Sequence, residues 1–182
     1  IARVWNNARA IAEVEGGNLE VLVAATLLHD CVSVEKDSPD RAKASLLAAT
    51  AARGFLASLD WPEDKITQVC HAIEAHSFSA NITPQTTEAR ILQDADRLDA
   101  IGLIGVARCF YVAGRMGSAL YDPNDPLARN RALDDSAYAI DHFETKLFKL
   151  STGFQTETGA QMATSRHDEL VAFKDAFLAQ VS

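Results

Sequence analysis

The sequence lacks several features that would assign it to common classes of protein. It contains no apolar run of the roughly 18 residues needed to cross a bilayer, and no glycine-rich phosphate loop. It also has no nucleophile-elbow pattern and no Cys-x-x-Cys pair, so mechanisms based on a serine or cysteine nucleophile have little support. A basic tract with interleaved aromatic residues is missing, and the net charge is -8. We therefore expect neither a membrane nor a nucleic acid as partner.

Cysteine is scarce and odd in number. Cys31, Cys70 and Cys109 are far apart, and each has apolar neighbours in the sequence. This pattern predicts buried thiols in the reducing cytoplasm, and it argues against a disulfide framework. The chain begins at Ile1, already inside a helical pattern. We expect further residues before it, so a targeting signal cannot be read from this end.

The residues that are abundant predict an all-α protein. The chain has 182 residues, of which 48% are hydrophobic and 23% charged, as in ordinary globular domains. Alanine, leucine and glutamate are frequent, and most apolar residues are spaced by three or four positions. We predict one domain, a helical bundle over residues 1–182.

Capping residues and glycines divide the chain into predicted helices. Gly16-Gly17 ends the first helix, Asn18 caps the second, and Ser38-Pro39 opens the third. The segment 77–86 reads as a loop, and the irregular stretch 115–133 reads as either a lid or a surface excursion. The predicted helices cover about 1–14, 18–28, 38–59, 60–76, 87–112, 134–150 and 157–181.

The pair His29-Asp30 follows the apolar run from Leu19 to Leu28. It offers an imidazole nitrogen and a carboxylate oxygen, a mixed ligand set that Mn, Fe, Co, Ni or Zn accepts. Adjacent residues inside a helix point about 100° apart, but at a helix end both side chains can turn to one ion. A helix-end histidine beside a solvated aspartate is the structural alternative.

An acidic cluster follows much later, with Asp94, Asp96 and Asp99 around Arg97. Asp96 and Asp99 share a helix face, whereas Asp94 points almost opposite to Asp96. The three carboxylates therefore do not serve a single ion. A solvated charged face paired with Arg97 remains an alternative.

Other candidate residues are histidines and cations. His71 and His76 lie about 140° apart on a helix, which argues against a shared ion. His76, at a helix end, is the better functional candidate, whereas His71 reads as a core or capping residue. Some cations could meet a phosphate, although each taken alone is more often a solvated surface charge: Lys36, Arg41, Lys43, Lys146 and Lys149.

Taken together, these segments resemble the HD-domain metal-dependent phosphohydrolases, whose pattern is His … His-Asp … Asp on an all-α scaffold. His29-Asp30 matches the central pair, and Asp96 matches the final aspartate. The matching segments, typical of small stand-alone bacterial members, are 27–30, 76–79, 91–102 and 141–147.

The resemblance implies one divalent ion, with Mn²⁺ preferred and Fe, Co, Ni, Mg or Zn as substitutes. His29, Asp30 and Asp96 would hold it, together with a histidine expected immediately before Ile1. After the pair, this chain reads Cys31-Val-Ser where relatives that cleave cyclic dinucleotides have Gly-Lys. That departure disfavours the cyclic-dinucleotide branch.

The resemblance also implies a nucleotide substrate, with nucleoside triphosphates cleaved to monophosphate and pyrophosphate. Asp30, His76 and Asp99 are the expected catalytic residues: His76 donates a proton or binds phosphate, and Asp99 orients a ligand or Arg97. The expected substrate-binding residues are Lys36, Arg41, Lys43, His76, Arg97 and Lys146.

Other functions remain open at this stage. They are a nucleoside monophosphate phosphatase, a non-catalytic metal or nucleotide sensor, and a two-iron HD oxygenase. The oxygenase would need more ligands, and His71 and His76 are poorly spaced for that purpose. The alanines at 48, 49, 51 and 52 pack either inside the domain or against a second copy, which would make a homodimer.

Overall fold

The computed structural model describes residues 1–34 and 43–181, and within them the chain is all-α, as predicted. Short helical turns occupy Phe78–Ala80, Ala139–Asp141, Phe143–Leu147 and Phe148–Ser151. Extended pairing among the described residues is limited to one isolated bridge, between Ala119 and Tyr138. The seven longer helices are α1 (Ala2–Glu15), α2 (Leu19–Leu28), α3 (Ala44–Ala57), α4 (Glu63–His76), α5 (Thr87–Leu98), α6 (Gly102–Met116) and α7 (Glu157–Leu178).

Local sequence signals set the ends of the early helices. Gly16 and Gly17 adopt φ values of 78° and 103°, which end α1. The Asn18 side chain accepts hydrogen bonds from the backbone N–H groups of Glu20 and Val21 and so caps α2. The predicted end of the first helix and the predicted start of the second are confirmed. The predicted start of the third helix at Ser38-Pro39 lies outside the described residues.

The chain folds as two compact units. The first unit comprises Ile1–Asp96 and Gln155–Gly159, and the second comprises Arg97–Phe154 and Ala160–Ser182. In the first unit, α4 packs against both α2 and α3, and α1 packs against α2. Its fully buried residues include Ile11, Val21, Ala25, Ala52, Val69 and Ile73.

An aromatic core organises the second unit. Phe143 is fully buried and stacks on Phe173 with ring centroids 5.8 Å apart. The stretch after Gly117 is irregular, as predicted, but it is held by a salt bridge: Arg131 donates to both carboxylate oxygens of the buried Asp141, at 2.5 and 3.0 Å. A bidentate geometry of this kind offsets the free energy that is needed to bury a charged carboxylate.

The single helix predicted over 87–112 is wrong, because the chain breaks between α5 and α6. Gly102 adopts φ +68°, a left-handed conformation that disfavours other residues. A Cβ on Gly105 would lie 2.5 Å from the carbonyl oxygen of Ala100, so this glycine allows the chain to fold back closely at the break. These glycines lie within an apolar stripe that has helical spacing, and for that reason the pattern alone hides the break.

The helix predicted over 134–150 is also wrong. Asp134 Oδ1 accepts hydrogen bonds from the N–H groups of Ser136 and Ala137, which forms a turn. Short 3₁₀ and π turns follow between Ala139 and Ser151 in place of a regular α-helix.

The cysteines are free thiols, but only one is buried. Cys70 is buried and Cys109 is half-buried, and burial raises the pKa of the Cys109 thiol to about 11. Cys31 is exposed, contrary to the prediction, because it follows the end of α2 where the chain leaves the core. No helix among the described residues is long and apolar enough to span a membrane.

Two glycine substitutions should have opposite effects on stability. We expect Gly102→Ala to lower the free energy of unfolding by about 1–2 kcal/mol, because alanine is strained at positive φ. Gly54→Ala is the matched control: it lies in α3 with nothing within 4 Å of the added Cβ. It should raise stability by about 0.5–1 kcal/mol. Urea denaturation measures both, and a Gly102→Ala variant as stable as the parent would contradict this account of the break.

Candidate metal centre

Two histidines at the ends of helices are held in the same way. His29 is the C-cap of α2, and His76 is the last residue of α4. The Nδ1 of each ring lies against the carbonyl oxygen three residues earlier, at 2.7 Å for His29 to Thr26 and 2.6 Å for His76 to Ile73. A carbonyl only accepts, so each Nδ1 carries the hydrogen and a neutral ring keeps the lone pair on Nε2. Metal-binding histidines commonly have this arrangement.

Two carboxylates converge on these Nε2 atoms. Asp30 lies 3.6 Å from His29 Nε2 and 3.8 Å from His76 Nε2, through its two oxygens. Asp96 Oδ1 lies 3.7 Å from His29 Nε2. These separations are too long for direct hydrogen bonds.

The spacing of these atoms fits a shared ion. Two ligand atoms each about 2.1 Å from one metal lie roughly 3–4 Å apart. Donor atoms of His29, Asp30 and His76 all lie within 4.8 Å of one another. The imidazole and carboxylate groups present therefore suit a divalent transition metal.

Burial and charge act differently on the two histidines. Burial lowers the pKa of His29, but Asp96, the Thr26 carbonyl and Asp30 outweigh it, so the pKa lies above its ordinary value. Burial dominates at His76 and lowers its pKa, although the Ile73 carbonyl opposes the shift. Burial therefore favours the neutral form of His76, which is the form that binds a metal.

The helix that carries the candidate ligand Asp96, α5, is anchored just before that residue. Gln93 Nε2 donates to the carbonyl of Ala75, at 2.6 Å. Asn7 Nδ2 donates to the carbonyl of Ala95, at 3.0 Å. Both bonds are buried, so the backbone that carries Asp96 is fixed against α4 and α1.

The three aspartates of the acidic cluster have three different environments. Asp94 is 1% exposed and accepts hydrogen bonds from the backbone of Gln155 and from both the backbone and hydroxyl of Thr156. Asp96 faces His29. Asp99 belongs to the second unit, where Arg108 donates to its carboxylate at 3.1 Å.

The remaining candidate residues lie in several places. His71 Nε2 accepts the N–H of Gln85, a residue in the segment between α4 and α5. Lys43 is exposed at the start of α3, whereas Lys36 and Arg41 lie outside the described residues. Arg97 and Lys146 belong to the second unit; Lys146 is exposed, and Arg97 donates to the Leu150 carbonyl. The predicted contacts of these cations with substrate stay predictions.

Sequence reasoning placed His76 near the chemistry but outside the ligand set. The structure brings its Nε2 into the same group of donor atoms as His29 and Asp30. The helical spacing of His71 and His76 was the wrong comparison, because the partner of His76 is His29, 47 positions away, with ring centroids 4.9 Å apart. The feature of the sequence that pairs His76 with His29 is that each follows or ends a predicted helix.

Comparison with known proteins identifies the family. The sequence model of the HD domain matches residues 1–101. The uncharacterised protein YpgQ of Bacillus subtilis is 32% identical over 177 residues, which cover 95% of this chain and 78% of YpgQ.

Solved structures agree with that match. An HD-superfamily hydrolase from Bacillus thuringiensis has a TM-score of 0.76 and 31% identity, over 98% of this chain and 82% of that one. The structure of YpgQ in complex with ADP has a TM-score of 0.75 and 29% identity, over 99% and 86% of the two chains. The assignment of all of 1–182 to one domain stays a prediction. The chain belongs to the HD-domain family of metal-dependent phosphohydrolases.

Proposed function

We propose that this protein hydrolyses nucleoside triphosphates to monophosphate and pyrophosphate, using one divalent ion, preferably Mn²⁺. The observation that carries the proposal is the convergence of His29, Asp30, His76 and Asp96, with both imidazoles fixed to present Nε2. The ADP complex of YpgQ supports a nucleotide as the ligand.

The ion, when bound, neutralises phosphoryl charge and lowers the pKa of water to near neutrality. His29 and His76 would hold it through their Nε2 atoms, and Asp96 would add negative charge. Asp30 combines two tasks: its carboxylate reaches both imidazoles, yet 72% of its side chain is exposed. Asp30 would therefore serve both as a ligand of the ion and as the acceptor of a proton from the attacking water.

The roles of the other groups follow from their surroundings. His76 is proposed as a metal ligand, because its Nε2 lies in the same donor group as His29 and Asp30 and burial lowers its pKa. Asp99, paired with Arg108, is proposed to orient a ligand or Arg97 and not to react. Phosphate charge is proposed to be met by Lys36, Arg41, Lys43, Arg97 and Lys146.

The test uses full-length protein stripped with EDTA and reloaded with Mn²⁺. Nucleoside mono-, di- and triphosphates are offered, and phosphate and pyrophosphate are detected separately. We expect pyrophosphate from triphosphates, no product after EDTA, and recovery when Mn²⁺ is restored. Phosphate release from monophosphates would instead identify a phosphatase, and tight nucleotide binding without any product would identify a sensor.

Bond position can be tested with paired analogues. A triphosphate with an imido group between the α and β phosphorus atoms should resist hydrolysis. An analogue with the imido group between β and γ should still be cleaved, because the proposed reaction breaks the bond between α and β. The reverse pattern would overturn the proposed reaction while leaving hydrolase activity intact.

A further inference from the structure

Gln93 joins the two helices that carry His76 and Asp96. Its side-chain amide donates to the carbonyl of Ala75, at 2.6 Å, and its residue is only 5% exposed. Ala75 immediately precedes His76 at the end of α4, and Gln93 precedes Asp96 by three positions on α5. One buried hydrogen bond therefore connects the backbone beside one donor group to the helix that carries another.

The end of α4 has a physical need for this bond. The last four carbonyls of an α-helix have no partner within the helix, and Ala75 is among them. Gln93 supplies the missing donor. The bond is buried, and a buried carbonyl left without a donor would cost free energy. Without this bond, the last turn of α4 would be free to fray, and that turn contains both His76 and the Ile73 carbonyl that holds its ring.

The two residues between Gln93 and Asp96 also hold α5 in place. Asp94 is bonded to Thr156, and the carbonyl of Ala95 accepts from Asn7, so α5 is held by three consecutive residues before Asp96. Of the three attachments, only that of Gln93 leads to a helix that carries another of the four described donor residues, His76 on α4. It is therefore the one that can set a distance between donor atoms.

We propose that Gln93 is a positioning residue that fixes the separation of His76 and the Asp96 carboxylate, and thereby sets the affinity and geometry of the metal centre. This inference rests on the proposed metal centre, but not on the identity of the substrate. A residue with a purely structural role would lower the stability of the fold and leave the metal affinity of the folded protein unchanged.

The experiment compares Gln93→Leu with Asn18→Ala. The first replaces the amide donor with an apolar group of similar size. The second removes the side chain that caps α2. Like Gln93, Asn18 forms hydrogen bonds with backbone groups at the end of a helix. Both are expected to lower the thermal midpoint by about 2–4 °C, which makes them matched for stability.

Two readouts separate positioning from stability. Affinities for Mn²⁺ and Co²⁺ are measured by chelator competition at a temperature where circular dichroism shows both variants folded. The visible bands of bound Co²⁺ report coordination geometry without any need for turnover. We expect Gln93→Leu to lower the affinity by about 10–100-fold and to change the bands, whereas Asn18→Ala keeps parental values.

Affinity and bands unchanged in a folded Gln93→Leu protein would overturn the proposal. If that variant fails to fold, Gln93→Asn, which keeps the amide but is one methylene too short, is measured in the same way with the same expected direction. Wild-type protein that binds Co²⁺ but cleaves no nucleotide would overturn the proposed function alone. Wild-type protein that binds neither ion would overturn the metal centre itself, and with it the role of Gln93.

Discussion

Asp96→Asn should lower metal-dependent turnover by about 10³-fold, because a divalent ion contributes several kcal/mol to hydrolysis and this change weakens its site. Asp96 Oδ1 faces His29 Nε2 at 3.7 Å, and the carboxylate supplies one of the two negative charges in the donor group. The amide keeps the size of the side chain but removes its charge. The metal-free protein should keep its stability to within about 0.5 kcal/mol, since the side chain is 41% exposed.

The matched control for this prediction is Asp64→Asn. Asp64 is exposed in the first turn of α4, well before His76 in the sequence. This variant should keep parental turnover and metal affinity. Steady-state rates at saturating Mn²⁺, together with affinity from chelator competition, test both variants. An Asp96→Asn protein with full affinity and full turnover would remove Asp96 from the metal centre.

Asp94→Ala should lower the free energy of unfolding by about 3–5 kcal/mol, although Asp94 is only two residues from Asp96. Its buried carboxylate accepts from the N–H of Gln155 and from the N–H and hydroxyl of Thr156, at 2.7–2.8 Å. The same hydroxyl of Thr156 accepts the N–H of Gly159 at the start of α7. Removing the carboxylate leaves these donors buried without their acceptor. The first turn of α7 also loses its attachment to α5.

The fit around this carboxylate is close. A Cβ on Gly159 would lie 2.5 Å from Asp94 Oδ2, so α7 begins in direct contact with the acceptor. Urea denaturation of the metal-free protein measures the effect as a lower midpoint at unchanged slope. Asp64→Asn again serves as the control and should change stability by less than about 0.5 kcal/mol. A loss below about 1 kcal/mol for Asp94→Ala would show that water replaces the carboxylate at this position.

The helical class and the ends of the first helices could be predicted from the sequence, whereas the break between α5 and α6 could not. Apolar spacing gave the all-α class, and Asn18, Gly16 and Gly17 gave helix boundaries, because caps and left-handed turns depend on residues within a few positions. The pair His29-Asp30 was recognisable for the same reason. A helix end is a local feature, and two adjacent donor residues at such an end form a local pattern.

Which donor residues come together depends on how the helices pack. His76 lies beside His29 because α2 and α4 pack together, and no spacing within either helix encodes that contact. Likewise, Asp94 is set apart from Asp96 by partners about 60 positions further along the chain, Gln155 and Thr156. The sequence shows similar carboxylates in one short segment. Packing gives each its own burial and its own partners, and these determine whether a carboxylate serves the fold or can hold an ion.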